Sequence, residues 1–159
     1  MGFRQWVIGV LGGEGEQRSD RIMAPPSVAD SLEEEAGGLN FRSAIDAHQK
    51  WKARLQAVIN GDESENLSAD VISRDDQCVL GKWIHGVGGQ LFGTDETFKE
   101  LHKNHVMFHQ CAGQVLKLAQ AGAKTDAQDS LKAGEYAEVS RRVTLDLAQM
   151  YHRAASKQN

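Results

Sequence analysis

Residues 94–120 read TDETFKELHKNHVMFHQCAGQVLKLAQ, and their hydrophobic spacing decides the fold. At about 100° per residue, Phe98, Leu101, His105, Phe108, Ala112, Leu116 and Ala119 line one face of a helix. Thr94 is placed to cap that helix, with Asp95 and Glu96 in the first turn, where the macrodipole favours acids. His105 stands in mid-stripe, with His102 and His109 at its edges.

The same pattern recurs on both sides. Upstream, Phe41, Ala44, Ile45, His48, Leu55 and Ile59 share a band of about 100° with His48 at its centre, and Asn60-Gly61-Asp62 ends the helix. A shorter element follows from Val71, Ile72, Val79 and Trp83, before the break at Gly86-Val87-Gly88-Gly89. Downstream, a helix from about Thr125 to Arg153 carries Tyr136, Val139, Val143, Leu147 and Met150 on one face, with Gly134 weakening its first turns. No proline follows Pro26 to interrupt these helices. Four amphipathic segments with short connections predict an all-α fold, an antiparallel four-helix bundle with a short Cys-bearing helix.

The chain has 159 residues, 40% apolar and 25% charged, a globular balance sized for one domain. Its net charge of -4 lies wholly in residues 1–39, which hold three basic and seven acidic side chains. Both prolines, two glycine pairs and Glu33-Glu34-Glu35 mark residues 1–38 as a flexible acidic leader, and residues 39–155 as the folded domain. Within the leader, Phe3, Trp6, Val7, Val10 and Leu11 share a face that suits a short docking helix. Arg4 is its only nearby basic residue, and Trp6 stands where a myristoylation signal wants Ser or Thr, so no stable membrane anchoring is expected. The absence of a basic stripe argues against nucleic acid as a partner. With two cysteines and no secretory signal, the chain is expected in the cytoplasm with reduced thiols.

The chemistry should lie in the histidines. One histidine in an apolar stripe is ordinarily bonded to a backbone carbonyl, because an unpaired buried ring nitrogen costs about 1–3 kcal/mol. Two such histidines on different helices, next to a cysteine on a third, point instead to a metal. His105 and His109 lie one turn apart, and His102 and His105 are spaced i, i+3. His102 and His109 are about 10.5 Å apart along the axis and cannot share an ion. Either pair therefore contains His105. With His48 and Cys78 the set holds three imidazoles and one thiolate, which suits tetrahedral Zn²⁺. Iron is disfavoured, since the Glu-x-x-His and C-x-x-C-H motifs are missing.

Three motifs then sharpen the reading: His48-Gln49-Lys50-Trp51, Cys78-Val79-Leu80-Gly81-Lys82-Trp83 as C-x-[LF]-G-x-W, and His105-Val106-Met107-Phe108-His109 as H-x-x-F-H. In this order they resemble the chemoreceptor zinc-binding family, over about residues 40 to 150. The resemblance implies a zinc site of His48, Cys78, His105 and His109, choosing His109 over His102. It also implies a homodimer and a sensory or regulatory role in bacterial signal transduction, of chemotaxis or cyclic-di-GMP type, responding to zinc or to oxidants such as hypochlorous acid. Neither a signalling coiled coil nor a diguanylate cyclase accompanies the motifs, so a free-standing version acting on a signalling partner in trans is expected.

Trp51 and Trp83 are read as packing that walls the site, His85 and His102 as solvated or supporting, and Cys111 as apolar filler. A closed four-ligand site leaves no position for substrate water, so no enzyme activity is expected. The alternatives are a structural zinc in a protein-interaction adaptor and a zinc hydrolase in which water replaces Cys78.

Overall fold

A computed structural model describes residues 35–157. The expected leader helix over residues 3–11 lies outside the described residues. The first described residues form a hairpin of β1 (Glu35–Ala36) and β2 (Leu39–Asn40), paired antiparallel with Ala36 opposite Leu39. Its turn is Gly37-Gly38, both at positive φ (55° and 78°), a conformation that glycine adopts without strain. Ala36 and Leu39 are buried, so residues 35–38, read above as leader, pack onto the domain.

The rest is helical. Asn40 caps α1 (Phe41–Ile59), its side chain accepting the Ser43 N–H at 2.8 Å. Short helices follow: α2 (Ala69–Ile72), capped by Ser68, and α3 (Val79–Trp83), capped by Cys78. A π turn over Ile84–Gly88, kinked at Gly86, leads into α4 (Gly89–Phe92). The long helix α5 (Glu96–Gln120) begins one residue later than expected, because Asp95 rather than Thr94 is its cap and accepts the Thr97 N–H at 2.8 Å. The expected last helix is divided at Gly134 into α6 (Lys124–Ala133) and α7 (Glu135–Ser156). No described helix is long and apolar enough to cross a membrane.

The direction of each element follows from its contacts. Leu67 O accepts from Gln120 Nε2 at the far end of α5, Ile72 O faces His109, and Cys78 faces His105. The chain between α1 and α5 therefore runs back along α5 from its C-terminal to its N-terminal end. Against the other side of α5 lies α7, antiparallel to it, with Asn104 donating to Asp146 at 2.7 Å and the tilted rings of Phe108 and Tyr136 5.4 Å apart. The start of α1 meets the end of α7 through Phe41 and Tyr151, 5.7 Å apart.

The stripes face inward as spaced: Phe41, Ala44, Leu55 and Ile59 of α1, Phe98, Leu101, Phe108, Ala112 and Leu116 of α5, and Tyr136, Val139, Val143, Leu147 and Met150 of α7 are all buried. Trp83 anchors the hairpin, its indole N–H donating to Gly37 O at 2.7 Å. Of the four residues that marked the short element, Ile72 and Trp83 are buried as expected, joined by Leu80, whereas Val71 and Val79 are exposed.

Candidate metal centre

Three elements bring four donor groups together. His48 projects from the middle of α1, His105 and His109 from successive turns of α5, and Cys78 from the cap of α3. One ligand atom from each lies within 4.8 Å of the others. His105 Nε2 is 3.3 Å from Cys78 Sγ and 3.1 Å from His109 Nε2. The rings of His48 and His105 meet at 5.2 Å between centroids. All three histidines are buried, and Cys78 is half-buried.

The helices fix which nitrogen faces inward. His48 Nδ1 donates to the carbonyl of Ala44, one turn back, at 2.6 Å. His109 Nδ1 donates to Ile72 O at 2.7 Å, at the end of α2. Each ring therefore holds its proton on Nδ1 and offers the Nε2 lone pair to the cluster. His48 Nε2 is buried without a hydrogen-bond partner. His105 Nε2 carries at most one proton and can satisfy only one of its two neighbours.

The electrostatics agree. Burial lowers the His48 pKa from 6.5 to about 4, against a smaller upward pull from the Ala44 carbonyl. It lowers His105 and His109 in the same direction, and His105 is pushed further by the neighbouring histidines. The rings are thus held neutral, as metal ligands must be. Burial pushes the Cys78 thiol up, opposed by the Gly81 and Leu80 backbone N–H groups. Converging lone pairs in a buried place call for a cation. Tetrahedral zinc holds N and S donors about 3.3–3.6 Å apart, close to the spacings above. The donor set fits zinc: His48, His105, His109 and Cys78 could hold it, with His102 excluded from the cluster.

Around the donors the packing is close. A Cβ on Gly81 would overlap the carbonyl oxygen of Asp75, so the α3 backbone lies directly against the loop that precedes Cys78. A cleft of ≈ 370 Å³ opens beside the cluster, lined in part by Trp51, Arg54, Arg74, Cys78 and His109. Arg54 stacks on Trp51 at 4.0 Å. Trp51 thus borders the cluster, whereas Trp83 lies against the hairpin. Cys111 stands apart, half-buried.

Spacing pointed to His48, Cys78 and His105 and left His102 and His109 open; the family resemblance chose His109, the one the structure brings to the cluster, and neither reached the supports. The Ala44 carbonyl was findable as the i−4 partner of His48 on a helix. The Ile72 carbonyl and Asp75 belong to the irregular chain between α1 and α5 and leave no periodic signal.

Comparison with known families agrees with this geometry. Residues 48–116 match the model of the chemoreceptor zinc-binding domain, a span that starts at His48 and includes all four donors. Residues 48–116 are thus similar to that zinc-binding domain, and the His/Cys/His/His cluster fits zinc as its cofactor. No curated protein and no solved structure matches the chain.

Proposed function

We propose that the chemoreceptor zinc-binding domain of this chain is a non-enzymatic sensor in bacterial signal transduction, reporting zinc availability or oxidants through Cys78. His48, Cys78, His105 and His109 are its four ligands. One observation carries the reading: the three imidazoles are buried on long helices, while the single sulfur sits on a five-residue helix at the edge of an open cleft. The ligand that reacts is also the one that is only half-buried and lines the cleft.

When bound, the metal keeps Cys78 as a thiolate at neutral pH, which is the nucleophilic form. An oxidant of the hypochlorous acid class entering by the cleft converts that sulfur to sulfenic acid: RS⁻ + HOCl gives RSOH + Cl⁻, sulfur losing two electrons and chlorine gaining them. Sulfenic acid is a poor ligand. Once Cys78 leaves, its cap on Gly81 N–H weakens and α3 is free to repack. Loss of zinc acts on the same helix by removing what holds Sγ beside His105. The four donors leave no open coordination position, which supports a sensory rather than hydrolytic role. A homodimer, or a signalling protein acting in trans, would read the repacking.

The test compares zinc content, helicity and sedimentation of the whole chain before and after chelation, and after one equivalent of hypochlorous acid. Sensing predicts a folded product of altered shape or association in both cases, with Cys78→Ala unresponsive to the oxidant. A metal-free chain of unchanged shape would sink this reading, and outright melting on chelation would favour a structural zinc.

A further inference from the structure

One turn along α5 from the four-donor cluster, a second set of metal-binding side chains meets. His85 Nε2, from the π turn, lies 2.7 Å from Asp75 Oδ2. His102 Nε2, from α5, approaches the same oxygen at 3.6 Å, too long for a hydrogen bond. The two rings stand edge to face with centroids 5.0 Å apart. Among the described residues, this trio and the buried four are the two groups whose ligand atoms all fall within 4.8 Å. An Asp–His ion pair accounts for one imidazole; it gives no reason for a second one aimed at the same carboxylate oxygen.

We propose that Asp75, His85 and His102 form a second site for a divalent transition cation, zinc among them. Two nitrogens and a carboxylate oxygen are ligands of borderline softness, suited to Zn²⁺, Ni²⁺ or Cu²⁺ rather than to Mg²⁺ or Ca²⁺. The side chains of His85 and His102 are 44% and 38% exposed, so water completes the coordination. With fewer donors and no thiolate, this site fills after the buried one.

Its position gives it a structural consequence. Asp75 lies three residues before Cys78, and its backbone carbonyl packs against Gly81 and receives the Cys78 thiol at 4.0 Å. A cation here ties the loop before Cys78 to the π turn and to α5. The second site thus steadies the segment that presents the sulfur, whether or not the buried cluster signals.

The two sites are distinguishable by titrating metal-stripped full chain with Co²⁺, which reports thiolate ligation as a near-ultraviolet charge-transfer band. The expected result is two equivalents, the first with that band and the second, weaker, without it. His85→Gln with His102→Gln abolishes the second equivalent and keeps the first, with circular dichroism confirming the fold. Asp75→Asn weakens the second at least about tenfold. Cys78→Ser removes the band and retains the second equivalent. A wild-type chain that binds one equivalent only, a second equivalent that survives the double histidine variant, or its loss in a folded Cys78→Ser chain would each overturn the assignment. Absence of the band in wild type would instead count against the Cys78 site alone.

Discussion

His48 and His109 each commit one ring nitrogen to a backbone carbonyl, so the proton sits away from the cluster and the ring cannot turn without breaking a buried bond. Such supports set orientation before any metal arrives. At the same scale, Gly81 decides how close α3 comes to the loop at Asp75. Gly81→Ala forces that contact apart and displaces the Cys78 cap. We expect about 1–3 kcal/mol of destabilisation in urea unfolding, together with weaker zinc binding in a chelator competition. Substituting an exposed residue of the same helix, Lys82→Ala, should change neither. His48 and His105 were legible because imidazoles in an apolar stripe are conspicuous, whereas spacing left His102 and His109 open and the motif resemblance chose His109. His85 and His102 were not legible as partners, since a kink at Gly86 and a loop at Asp75 bring them together and neither has a period.

At the scale of elements, long helices with a clear stripe were readable to within a residue or two. Their ends were less so, because Thr94 and Asp95 are both good caps and only the chain's path selects Asp95. The stretch between α1 and α5 was the hardest. Val71 and Val79 look like core residues, yet helices of four and five residues are held by their caps and neighbours more than by an apolar face. The hairpin was missed altogether, its glycine pair and acidic neighbours having the composition of a linker. Trp83 is what recruits it. Trp83→Phe keeps most of the ring and deletes the donor to Gly37 O, leaving a buried carbonyl unpaired. The expected cost is about 1–3 kcal/mol by urea unfolding, with faster amide exchange over residues 36–40 and the zinc equivalent retained.

At the scale of the whole molecule, the buried histidines make the metal-free fold sensitive to acid. Unfolded, each titrates near 6.5; folded, burial holds His48 neutral down to about 4 and lowers His105 and His109 likewise. The unfolded chain therefore binds more protons below pH 6.5, and stability is complete above that value and falls as pH drops toward 4. Each histidine contributes up to about 1.4 kcal/mol per pH unit. Denaturant unfolding of the chelated chain at a series of pH values should show this slope, and His48→Gln should reduce it. A flat profile would mean that the metal-free rings have moved into solvent.

The chain that runs back along α5 carries Cys78 27 positions from His105. In polymer terms, a shared ion at that point is a cross-link, closing a loop much as a disulfide would. Loop-closure entropy for that length is worth about 3–4 kcal/mol. An oxidant that removes one sulfur therefore does more than break a bond: it opens that loop, the unfolded chain regains the entropy the cross-link had denied it, and the fold loses that share of its stability.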